Sequence, residues 1–68
     1  MNNLELLKTC HIVTLRHSNE GRCVISPIYG TYSFSVNMYY KRKRNPFYSL
    51  AIGYACEALK YVNALGYK

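Results

Sequence analysis

KRKRNPFYSLAIGYACEALKYVNAL, residues Lys41 to Leu65, is the stretch around which this 68-residue chain is organised. It opens on four consecutive cations, Lys41, Arg42, Lys43 and Arg44, and runs on into a segment with helical marks. Asn45 is a suitable N-cap, since its side-chain oxygen can accept from an orphan backbone N–H. Pro46 suits the first helical position, where a missing N–H costs nothing. Phe47, Ala51, Tyr54, Ala55, Ala58, Val62 and Leu65 recur at spacings of three and four and form one apolar stripe. Ser49, Gly53, Cys56, Lys60 and Asn63 fall opposite, and Gly66 supplies a left-handed stop. The spacing predicts one helix over 46–65.

Immediately upstream, residues 32–40 alternate strictly. Tyr32, Phe34, Val36, Met38 and Tyr40 face one way, and Ser33, Ser35, Asn37 and Tyr39 face the other. This is the period of a half-buried antiparallel strand. A second strand begins at Arg22 and ends at Pro27, which cannot donate to a central ladder. His11 to His17 is rich in β-branched residues and reads as a third, with a turn at 18–21 between the two. A tight turn at Tyr29-Gly30 sets Phe34 opposite Ile25 and Val36 opposite Cys23, with Val13 and Leu15 on the same side. Residues 2–9 read as a short helix capped by Asn3 and carrying Leu4, Leu6 and Leu7, or else as an extended lead-in. The expected architecture is a single α+β domain over 1–68. A three-stranded antiparallel meander is covered on one face by the long C-terminal helix, with Ala51, Ala55 and Ala58 lying against the sheet.

Half the residues are apolar, too many for a disordered chain. At this length, however, one core is barely enough, and a partner or cross-link often helps. Eight tyrosines exceed what so small an interior can use, and Tyr favours interfaces. A homodimer with Tyr48 or Tyr61 in the contact is therefore expected. Met1-Asn2-Asn3-Leu4-Glu5 has no early cation and no long apolar run, so a signal peptide is not indicated. A cytoplasmic chain with reduced, mostly buried thiols follows as the expectation. No apolar run approaches the length of a membrane span.

Motifs for chemistry are weak throughout. Cys10, His11, His17, Cys23 and Cys56 are the available soft ligands, without CxxC spacing. His11 and His17, six strand residues apart, are separated by roughly 20 Å and cannot share an ion. Asp is absent, and Glu5, Glu20 and Glu57 are scattered, which leaves no paired-carboxylate site. Cys23 and His17 could meet across a hairpin, but no third group orients the histidine. No glycine-rich phosphate loop occurs. The reading is of a non-enzymatic protein without cofactor or metal.

What remains is electrostatic. The formal charge is +6, and four of the nine Lys and Arg lie in the 41–44 block. Before a helix N-terminus, such a block points to phosphate. The uncovered sheet face adds Ser35, Asn37 and Tyr39, with Arg16 or Arg22 near its edge. Lys41, Arg42, Lys43, Arg44, Arg22, Ser35, Asn37 and Tyr39 are thus the candidate contacts for DNA or RNA, in a small regulator. The order short helix, three strands, long helix is similar to the layout of double-stranded-RNA-binding domains. That likeness is of layout alone and carries over no residue. The other class is an accessory protein of the kind found in phages and mobile elements, which blocks a host protein such as a defence nuclease complex by stoichiometric binding. There the tyrosines would anchor the contact and the cations would meet an acidic surface. The two classes differ in what clusters: cations with the open face for nucleic acid, or Tyr29, Tyr48, Tyr61 and Tyr67 for protein.

Overall fold

A computed structural model describes residues 2–17 and 21–68. The elements run α1 (Asn3–Lys8), β1 (Val13–His17), β2 (Gly21–Pro27), β3 (Phe34–Tyr40), β4 (Tyr48–Ile52) and α2 (Ala55–Ala64). The fold is α+β, with a four-stranded antiparallel sheet in the order β1-β2-β3-β4 and two helices on one face.

The fourth strand replaces the first half of the expected helix. Tyr48, Leu50 and Ile52 alternate with Ser49 and Ala51, and Pro46 and Gly53 bound the run. Residue pairs Val36↔Leu50 and Asn37↔Ser49 then form along β3. A sheet edge offered the backbone of this segment partners, and tertiary pairing overrode a helical period resting on two alanines and two aromatics. Asn45 and Pro46 accordingly lie in the loop that leads into β4 rather than at a helix start. Lys41 to Arg44 lie in the hairpin between β3 and β4, so no helix dipole is aimed at them. The α-β-β-β-β-α order also removes the likeness to double-stranded-RNA-binding domains.

The far end of the helix is as its residues require. Gly66 has φ +103°, its N–H donates to the Asn63 carbonyl at 3.0 Å, and the Tyr67 N–H donates to the Val62 carbonyl at 3.1 Å. These two bonds make a Schellman closure. Ala55, Ala58 and Val62 are buried, whereas Ala51, Phe47 and Tyr54, assigned to the same stripe, are exposed. Helix α1 forms as expected, but its cap is Asn2, whose Oδ1 accepts from the Glu5 N–H at 2.9 Å.

On the covered face Val13 and Leu15 meet Ile25 and Cys23, which in turn meet Val36 and Met38. All six are buried, as are Leu7 of α1 and Tyr67. The β2–β3 register is displaced by two residues from the expected one, because the connection spans Ile28 to Ser33. The Ile28 N–H donates to the Ser33 carbonyl at 3.0 Å, and Thr31 Oγ1 both donates to the Ile28 carbonyl and accepts from the Ser33 N–H. A shift of two keeps every side chain on its expected face. At the other end of β2, Gly21 has φ +143°, and a Cβ there would run into the Tyr39 carbonyl oxygen. Only glycine allows this close approach of β2 to β3.

Candidate nucleic-acid interface

Alternation places Thr14 and Arg16 of β1, Arg22 and Val24 of β2, Asn37 and Tyr39 of β3, and Ser49 of β4 on the uncovered face. Cross-strand rows follow from the register. Arg16, Arg22 and Tyr39 form one row, and Thr14, Val24, Asn37 and Ser49 the next. The first row adjoins the 41–47 hairpin, because Gly21 pairs with Tyr40. Lys68 lies alongside as well: its backbone exchanges two hydrogen bonds with Arg16, at 3.1 and 2.9 Å. Arg16, Arg22, Lys41, Arg42, Lys43, Arg44 and Lys68 are seven of the nine cations, collected at one end of the sheet. Glu5 and Glu57, the acidic side chains among the described residues, belong to the helices on the other face.

Two local networks give this surface shape. The Arg22 guanidinium carbon lies 4.5 Å from the centre of the Tyr39 ring, a cation–π contact. Arg22 Nη2 also donates to the Lys43 carbonyl at 3.5 Å, bracing the hairpin against the strand. Arg42 sits at φ +66°, a left-handed value that reverses the chain inside the cation block. Beside this, Asn37 Nδ2 donates to Ser35 Oγ at 2.9 Å and Ser49 Oγ donates to Asn37 Oδ1 at 2.7 Å. The amide is thereby held flat on the sheet, with one N–H and one lone pair uncommitted by these bonds.

All eight residues singled out in the sequence lie on this face or in its hairpin. Sequence reasoning missed Ser49, assigned to a helix surface, and Lys68, which only the pairing with Arg16 brings in. A shallow recess of about 450 Å³ between Arg16, His17, Gly66 and Lys68 borders the same end.

The remaining chemical candidates are dispersed. His11 precedes β1 rather than lying on it, with Nδ1 2.9 Å from Thr9 Oγ1. His17 packs edge-on to Tyr67, ring centres 5.5 Å apart. Cys23 is buried, and burial pushes its thiol up to about 11, the reverse of an activated nucleophile. Contrary to expectation, Cys10 and Cys56 are exposed. Among the described residues, no group of three or more His, Cys, Asp or Glu could hold a metal ion. Among the described residues, no helix is long and apolar enough to cross a membrane either.

The tyrosines do not gather on one surface. Tyr29 and Tyr32 are fully exposed at the β2–β3 turn, far from the cations, and Tyr67 is in the core. Tyr61 lies against Tyr48. Burial, the Tyr48 charge and a hydrogen bond to Tyr48 raise its phenol above the ordinary range.

No known family matches this chain. Curated protein sequences and solved structures likewise give no match.

Proposed function

We propose that this chain is a non-enzymatic nucleic-acid-binding protein. The basic hairpin holds phosphates, and the uncovered sheet face lies over bases or a groove. The observation that carries this reading is the convergence of seven cations with that face. Lys41, Arg42, Lys43 and Arg44 provide the phosphate contacts, a sequence-independent source of affinity. Arg22, stacked on Tyr39, offers either a further phosphate contact or, with the ring, a platform for an unpaired base. Asn37 supplies one donor and one acceptor, the pair that an asparagine presents to adenine in a major groove. Because Ser35 and Ser49 fix that amide in advance, little freedom is lost when it binds. Tyr29 is remote and Tyr67 is buried, which leaves only Tyr48 and Tyr61 together and gives less support to an inhibitor of a host protein.

Fluorescence anisotropy with labelled duplex and single-stranded oligonucleotides, at several salt concentrations, tests the reading. Four phosphate contacts on a duplex correspond to a log–log salt slope of about −3 to −4. Replacing Arg42 and Arg44 with Ala weakens binding and reduces the magnitude of the slope by about two. Absence of binding to any DNA or RNA at low salt overturns it and favours a protein partner.

A further inference from the structure

The two edges of the sheet are treated differently. Along β1, the pair of backbone bonds between Arg16 and Lys68 already occupies part of the edge. β4 borders the other side and, among the described residues, pairs with β3 alone. In an antiparallel ladder, every second residue of such a strand points its N–H and C=O away from the sheet. Natural edges are usually guarded by charge, proline or a bulge. Tyr48-Ser49-Leu50-Ala51-Ile52 contains no charge, no proline and no glycine. Its helix side is also only half closed. Leu50 and Ile52 are partly buried, Tyr48 is 49 % exposed, and the stacked pair Tyr40 and Phe47, ring centres 4.0 Å apart, is exposed beside it.

We infer that β4 is the contact of a homodimer, in which two copies pair antiparallel across a twofold axis at Leu50 and join two four-stranded sheets into one. The strand is self-complementary in that arrangement. Leu50 meets Leu50 of the second copy, Tyr48 meets its Ile52, and Ser49 meets its Ala51. Large apolar groups thus face each other on the helix side and small ones on the open side, as an isologous contact requires. Charge selects the same geometry. Each copy carries +6, and antiparallel pairing sets each cation hairpin beside the uncharged end of the other strand, Ile52-Gly53-Tyr54. Parallel pairing would bring the two hairpins together, where like charges repel. The twofold also leaves both uncovered faces on one side, as a single surface with its basic ends at opposite corners.

This inference is independent of the nucleic-acid reading, and its test contains no nucleic acid. Sedimentation of the wild-type chain from low to high micromolar concentration is expected to show a reversible monomer–dimer equilibrium. Cysteine is then placed singly at positions 48 to 52, with Cys10 and Cys56 changed to Ser and the buried Cys23 retained. Mild oxidation is expected to link the dimer most efficiently in Leu50→Cys, since only a residue on the axis meets its own copy at disulfide distance. A mixture of Tyr48→Cys and Ile52→Cys chains is expected to form the mixed dimer in preference to either homodimer. A wild-type chain that stays monomeric at high micromolar concentration overturns the inference and leaves the edge to a strand of another protein. A dimer that links equally well at all five positions, or at none of them, also overturns it.

Discussion

The two faces of this sheet are made by alternate residues of the same strands, yet they do opposite things. On the covered face, Cys23, Ile25 and Val36 have no exposed surface, and Met38 has almost none. On the other, the neighbours Arg22, Val24, Asn37 and Tyr39 remain partly open; Arg22 bonds to the Lys43 carbonyl of the hairpin, and Asn37 to Ser35 and Ser49 of the same face, rather than to the core. One face therefore sets stability through packing. The other can vary in chemistry at little cost to the fold, which is where a binding surface is free to develop.

The strongest test of that division is thiol reactivity. Cys10 and Cys56 are exposed and Cys23 is buried, so a thiol reagent should modify two positions quickly. Cys23 should react at least about a thousandfold more slowly, because it must wait for the domain to open. The pH dependence has a definite sign. Folded Cys23 keeps its proton up to about 11, whereas the ordinary value is 9.0. The unfolded chain releases that proton first, so stability should fall as pH rises from 9 towards 11. Rapid modification of all three thiols, followed by mass spectrometry, would show that the covered face is not closed to solvent.

Next in size is Ile25→Ala, which empties a fully buried site and should cost about 2–5 kcal/mol in urea melts. Ala58→Leu, at the point where α2 lies against the sheet with no exposed surface, should cost about 1–3 kcal/mol through overpacking. On the open face, Asn37→Ala breaks its bonds to Ser35 and Ser49 and should cost only about 1 kcal/mol. It should change preference among oligonucleotides while leaving the salt slope intact, because it removes no charge. The smallest stability effect belongs to Arg42→Ala and Arg44→Ala, within about 0.5 kcal/mol each. A large loss of stability in these last variants would mean that the hairpin holds the fold together.

Much of this arrangement is legible in the sequence, and the exception has a physical cause. The period-two pattern of 34–40 is unbroken, so β3 and its faces follow directly. The loop Ile28 to Ser33 displaced the register by two, which no side-chain pattern can detect because the faces are unchanged. Residues 47–55 satisfy both periods at once: Phe47, Ala51, Tyr54 and Ala55 fit a helix, while Tyr48, Leu50 and Ile52 fit a strand. Gly53, between the two real elements, was the residue that could have settled the choice. The candidate site was affected less than the fold. Arg22, Ser35, Asn37 and Tyr39 depend on alternation alone, and the cation block is adjacent in the chain. Lys68 joins them only through a backbone pairing that leaves no mark in composition or period.

Gly21 imposes a different kind of constraint, on the history of the chain. The Tyr39 carbonyl occupies the space where any other residue would carry its Cβ. A lineage can exchange the cations of 41–44 one at a time, trade one tyrosine for another, or alter the open face entirely, and keep the sheet. It cannot replace Gly21 without prising β2 from β3 at the end that carries the hairpin. Divergent relatives should accordingly keep a glycine followed by alternating apolar residues, as in Gly21, Cys23 and Ile25, long after overall similarity has faded. That pattern, rather than the basic block, is the mark by which distant kin could be found.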